Sequence, residues 1–229
     1  MAAAVPWFPV VGGVVGAVVG AVAAGLWHLV PSAVAAALAV LVGVLVTGAF
    51  HEDGLADTAD AFAGGWTRED RLRILEDPLH GSYGVAALSG SIVLRIVAAA
   101  SLAAQGPAVV FAALVAAHAL SRGAAVVVMA AVPVAKSAGL GADYSRRIVP
   151  SRVAVGVVAG AAIAGIAVGW WAAPLAAVAA LAAVLVAWLA VRKIGGINGD
   201  VLGAVEQVAE CLTLVVATGL AARYSLWWS

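Results

Sequence analysis

Charge is scarce in this chain, and its scarcity excludes whole classes of protein. Only 10% of the 229 residues are Asp, Glu, Lys or Arg, and the formal net charge is zero. A nucleic-acid binder needs surplus Lys and Arg to neutralise phosphates, so that partner has no electrostatic support. There is one cysteine, Cys211, which excludes an intrachain disulfide. In its apolar setting it reads as a buried, inert thiol. No GxxxxGK[ST] loop occurs, so a P-loop nucleotidase is unsupported. The N-terminus has no basic run ahead of its apolar stretch, which argues against a cleaved signal peptide.

What is there is apolar. Hydrophobic residues make up 65% of the chain, and the mean hydropathy of +1.10 exceeds what a soluble domain uses. Several runs reach the ~20 residues needed to cross a ~30 Å hydrocarbon core. The fold class is therefore all-α: a polytopic membrane helical bundle, one integral membrane domain over 1–229. About seven spans are expected, near 10–29, 32–50, 84–104, 107–134, 153–173, 174–191 and 205–222. Gly12, Gly16 and Gly20 form a ladder of small residues that reads as helix packing.

Alternating these spans sorts the charges. Nine of the twelve Lys and Arg fall on one side, in 51–83, 135–152 and 192–204. The positive-inside rule makes that side cytoplasmic. Trp27, Trp170, Trp171, Trp227 and Trp228 fall at the opposite interface, as an aromatic belt does. The expected location is a cytoplasmic (inner) membrane, multi-pass, with one cytoplasmic-facing site. The nearly featureless outer face argues against capture of an external ligand.

The densest acidic stretch is His51-Glu52-Asp53-Gly54-Leu55-Ala56-Asp57-Thr58-Ala59-Asp60. On a helix at about 100° per residue, Asp53, Asp57 and Asp60 fall within roughly 40° of one another. Three carboxylates on one stripe repel unless a cation sits among them, and hard oxygen ligands suit Mg²⁺ or Mn²⁺. Asp77 or Asp200 is expected to complete the metal site. A remaining carboxylate, or His51, would take a proton. His51 points away from the stripe and ranks below the aspartates. The bland alternative is a solvated acidic turn capping a membrane helix.

Other candidates lie on the same side. Gly81 and Gly84, after Asp77-Pro78, permit close backbone approach to a ligand. Arg122, inside an apolar span, must face a cavity, a carboxylate or a phosphate. With Lys136 it is the candidate diphosphate contact. Arg95 reads more simply as the partner of a membrane-embedded carboxylate. Gly196 and Gly199 clear the backbone for a phosphate, and Asp200 is expected to cap the helix that follows. Glu210, two to three turns inside that helix, needs a metal, a proton or an arginine, with Arg95 or Arg122 the nearest choice. Thr67 with Glu69 and Asp70 reads as the cap of a short surface helix ending before Pro78. Arg68, Arg71 and Arg73 on it are expected to face headgroups or solvent. This inventory suits metal-assisted phosphoryl transfer.

These motifs resemble the cobalamin synthase (adenosylcobinamide-GDP ribazoletransferase) family. Gly48 to Asp60 is similar to its G-G-x-H-x-D-G-L-A-D-T-x-D-G. Asp77 with Gly81 and Gly84 resembles D-x-x-x-G-x-x-G. Ser121-Arg122, then Pro133, Ala135, Lys136, Gly139, Leu140 and Gly141, follow its fourth-span pattern. Gly195-Gly196, Gly199-Asp200, Leu202-Gly203-Ala204 and Glu210 resemble G-G-x-T-G-D-x-L-G-A and a following glutamate. Asn198, Glu76 and Ala61 depart from the usual residues. A family segment with an F-x-T-R-x-P-like motif usually precedes the first span and is not seen here.

The resemblance implies adenosylcobinamide-GDP and α-ribazole (or its 5′-phosphate) as substrates, Mg²⁺ as the metal, and GMP as leaving group. It leaves the oligomeric state open, a homo-oligomer included. Two competing readings are a CDP-alcohol phosphatidyltransferase and a transporter. The first lacks the A-R of its D-x-x-D-G-x-x-A-R pattern, since Thr58 and Ala59 stand there. The second predicts internal repeats and polar groups near the midplane.

Overall fold

The computed structural model describes residues 2–135 and 149–228, and among them every regular element is a helix. A 3₁₀ turn, Ala2–Trp7, leads into α1 (Phe8–Gly25), followed by α2 (Ser32–Thr47), α3 (Phe50–Gly64) and α4 (Arg68–Ile74). Then come α5 (Ser82–Ala103), α6 (Pro107–Ala131), α7 (Pro150–Val168), α8 (Ala172–Ile194) and α9 (Gly199–Ala221). Five segments are long and apolar enough to cross a membrane, or six if α2 and α3 count as one bent span. The expected count of seven is not reached by this measure.

One of those five, Pro150–Ile194, changes direction. A continuous helix of 45 residues would run about 67 Å, more than twice the hydrocarbon core. Gly169, at φ +60°, interrupts it. Val153, early in α7, packs with Val126 and Met129 of α6. At the other end of α7, the Ile166 and Ala167 carbonyls accept from Trp227 and Trp228 of the C-terminal tail. At the far end of α8, Lys193 donates to the Phe62 carbonyl of α3 at 2.8 Å. The two helices thus run in opposite senses, and Trp170, Trp171, Trp227 and Trp228 gather where they turn.

The core is built on α6, buried along most of its length. The Gly12, Gly16 and Gly20 ladder lies directly on it, as the small-residue pattern anticipates. A Cβ at Gly16 would sit 2.6 Å from the Leu114 carbonyl oxygen, and one at Gly20 3.0 Å from the Phe111 Cα. Backbones that close pack by dispersion, the main attraction available between helices in lipid.

The acidic segment is a separate helix set at 90° to α2. Gly48 and Ala49 are both left-handed, at φ +65° and +58°, and make that corner. Thr67 and Asp70 form a capping box at the start of α4, as its sequence suggests. Arg68 and Arg71 do not simply face solvent. Arg68 donates to the Ile194 and Ala135 carbonyls, each at 2.9 Å, and Arg71 to the Lys193 carbonyl at 3.2 Å. They satisfy carbonyls left open at the end of α8, and so bind α4 to the bundle.

Candidate active site

Helix α3 presents its charges in two directions. Asp53 and Asp57, one turn apart, face outward toward His80 in the α4–α5 loop. His80 Nδ1 lies 3.2 Å from Asp57 Oδ1, and Nε2 lies 3.5 Å from Asp53 Oδ1. One donor atom from each of the three falls within 4.8 Å of the others. Asp53 is largely exposed, while Asp57 is mostly covered. Burial, with Asp53 and Asp200 nearby, pushes the Asp57 carboxyl up to about 6, against the pull of His80.

Asp200 therefore belongs beside this pair, and Asp77 does not. Asp77 is exposed and accepts from the Leu79 amide, closing its own turn. Gly54 and Gly203 bring Asp200 close. A Cβ at Gly54 would lie 2.7 Å from the Asp200 carbonyl oxygen, so α3 and the start of α9 touch backbone to backbone. Asn198, rather than Asp200, caps α9, accepting from the Val201 amide at 3.0 Å. Asp200 instead accepts from Asn198 Nδ2 at 2.6 Å.

Asp60 leaves the stripe. Its Oδ2 accepts from the Gly81 amide at 2.7 Å and its Oδ1 from the Gly84 amide at 2.9 Å. Both oxygens are thereby committed to the N-terminus of α5, where negative charge is favoured. Gly81 and Gly84 do give close approach, but to Asp60 rather than to a ligand. A Cβ at Gly81 would be 2.6 Å from Asp60 Oδ1, and one at Gly84 would strike Oδ2. Gly196 is likewise structural, because a Cβ there would strike the Pro133 carbonyl oxygen. The surrounding chain pairs through Ala135 N–H to Ile197 O and Ile197 N–H to Pro133 O. Gly199 is different: its Cβ position is open. Lys136 lies outside the described residues.

Behind the outward pair lies a buried ionic network. Glu52 pairs with Arg95 at 2.9 Å, and Arg95 with Glu210 at 3.4 Å. Glu210 also meets His118 Nδ1 at 3.0 Å. Arg122 pairs with Glu206 at 2.7 Å through Nη1, which also contacts His118. Ser121 donates to Glu206, Gln207 to Glu52 and Glu206, and Ser91 to Gln207. Cys211 is buried against Ser91 and makes no disulfide. Arg122 and Glu210 are thus partners of protein charges first.

His51 faces this side, its Nδ1 3.8 Å from Glu206 Oε2, and away from the aspartates as expected. The network runs about three turns into α9. Glu206, Glu52 and His80 carried no role in the sequence reading. Glu206, one turn before Glu210 in an apolar helix, was the available signal for the first.

The helical bundle defines a polytopic membrane protein, and its outward carboxylate–imidazole group gathers Asp53, Asp57 and His80. The sequence pattern described as cobalamin-5-phosphate synthase matches residues 1–218, and the chain belongs to that family. Three relatives are called adenosylcobinamide-GDP ribazoletransferase. The one from Bradyrhizobium diazoefficiens is 42% identical over 186 residues, covering 80% of this chain and 70% of its own. The one from Shewanella frigidimarina is 37% identical over 84% of this chain and 75% of its own. The one from Chlorobaculum parvum is 37% identical over 94% and 85%. No solved structure matches.

Proposed function

We infer that the chain is an adenosylcobinamide-GDP ribazoletransferase. It moves adenosylcobinamide phosphate from adenosylcobinamide-GDP to a free ribose hydroxyl of α-ribazole or α-ribazole 5′-phosphate. That hydroxyl oxygen bonds to the phosphorus on the cobinamide side, the bond from that phosphorus to GMP breaks, and adenosylcobalamin or its 5′-phosphate is the product. The family match over residues 1–218 carries this reading.

The chemistry is assigned to Asp53, Asp57 and His80. Two carboxylates and an imidazole within 4.8 Å fit Mg²⁺ or Mn²⁺, and Asp200 adds negative charge beside them. Asp53, Asp57 and His80 would hold the divalent ion, which would supply charge neutralisation at the diphosphate. A carboxylate of the group left free of the ion takes the proton of the attacking ribose hydroxyl. Asp60 does not ligate; it holds α5, and with it the loop that carries His80, against α3. The excess of Lys and Arg in the segments at this end supports a cytoplasmic orientation, next to its water-soluble substrates.

The test uses purified protein in liposomes with adenosylcobinamide-GDP, α-ribazole and Mg²⁺. GMP release that stops on chelation is expected. Release undiminished by chelation removes the metal, and no release removes the transferase.

A further inference from the structure

A cavity of about 500 Å³ opens between α1, α3, α6 and α9. Phe8, Val11, Met129 and Leu202 give it apolar walls, and His51, Arg122 and Glu206 give it one polar wall. Its volume lies in the range of pockets that enclose a small organic ligand.

Three observations mark the polar wall as unfinished. His51 Nδ1 is buried without a hydrogen-bond partner, and Glu206 is too distant, at 3.8 Å, to supply one. An unpartnered buried polar atom is costly, and a ligand hydroxyl removes that cost. Among the described residues, Arg122 binds Glu206 and His118 through Nη1 alone, and none of them takes the other edge of its guanidinium. Gly199 lines the cavity with nothing within 4 Å of its Cβ position, leaving the first turn of α9 open to contact. The next residue, Asp200, faces Asp53 and Asp57. One end of the cavity therefore adjoins the metal-competent group.

Of the two substrates, only one has this shape. The corrinoid is a broad macrocycle fringed with amides, unsuited to an apolar cleft among four helices. The acceptor is a flat, apolar benzimidazole joined to a ribose. We propose that this cavity is the acceptor nucleoside site. The benzimidazole lies against Phe8 and Met129. The ribose hydroxyls complete His51, Arg122 and Glu206. The attacking ribose hydroxyl leads past Gly199 toward Asp53 and Asp57. This assignment rests on the transferase reading above.

Ala125 lines the cavity from α6, and Val11 lines it from a largely exposed position on α1. Ala125→Phe or Val11→Phe fills the space. The expected result is an α-ribazole KM raised about tenfold or more, with the KM for adenosylcobinamide-GDP within about twofold of wild type. Equilibrium dialysis with labelled α-ribazole, without donor or metal, should show the same loss. Val11→Phe keeps the test valid if Ala125→Phe does not fold. Unchanged α-ribazole binding in a folded variant overturns the proposal, as does an equal rise in both KM values. So does a variant that sheds co-purified lipid while its α-ribazole KM stays put, because an acyl chain is then the occupant. Wild type that binds α-ribazole in this cavity but releases no GMP refutes the transferase reading instead.

Discussion

Two groups of carboxylates share α3 and α9, and they differ in how their charge is answered. Glu52, Glu206 and Glu210 are buried, and the fold brings each an arginine, Arg95 to Glu52 and Glu210 and Arg122 to Glu206. Asp53 and Asp57 sit on the same helix as Glu52, turned outward, and among the described residues share only His80 between them. In lipid an unanswered charge is expensive, so the inner group is closed by its own partners. At the polar boundary the cost falls, and the outer pair is the one proposed to take an ion from outside. Residue type does not separate structural from chemical acids here. The supply of counter-charge does.

Mutation tests this contrast. The largest effect is expected for Arg95→Met, which leaves Glu52 and Glu210 buried with less compensation. Breaking one partner out of such a group costs about 3–5 kcal/mol, read as a fall in folded yield and melting temperature in detergent. Asp57→Asn should lower turnover ~10²–10³-fold through lost electrostatic stabilisation, while the melting temperature stays near wild type. A stable Arg95→Met protein, or an unfolded Asp57→Asn, reverses the contrast.

Asp60→Asn comes next. It weakens two charge-assisted bonds to the α5 amides, each worth about 1.5–3 kcal/mol, yet should leave Mg²⁺ affinity in isothermal titration little changed. A loss of affinity comparable to that of Asp57→Asn would return Asp60 to the metal site.

The smallest effect is on pH. The Asp57 carboxyl titrates near 6 in the fold, above its ordinary 3.8. Its protonated form is therefore favoured by folding. That contribution is complete below about 3.8 and lost as pH rises through 6. Without metal, the Asp57 contribution to the melting temperature should decline across this window, and Asp57→Asn should flatten the decline. Added Mg²⁺ should raise the melting temperature more at pH 7 than at pH 5, since proton and metal compete for one carboxylate.

Much of this was legible in the sequence. Apolar length gave the bundle, the glycine ladder gave the α1–α6 contact, and an arginine stranded in an apolar span announced a buried carboxylate for Arg95. The i, i+4 spacing put Asp53 and Asp57 together correctly. Asp60 satisfies the same angular rule, and its fate was hidden because its partners are amides 21 and 24 residues further on. Helical periodicity says which way a side chain leaves its own helix, and nothing about which backbone arrives to meet it. His80 escaped for a related reason: it lies in a loop, where no period fixes direction. Arg68 and Arg71 looked like solvent-facing charge, because the carbonyls they bind belong to a helix more than 120 residues away.

The right-angled corner at Gly48–Ala49 bears on the host bilayer. Helix α2 has 16 residues and spans only about 24 Å at ~1.5 Å per residue, short of the ~30 Å acyl region. A helix of that length leaves the corner short of a full crossing, and Phe50, 67% exposed, stands beside it. Hydrophobic mismatch then sets how deeply α3 rides: short-chain lipids lift it toward water, and long-chain lipids draw it under.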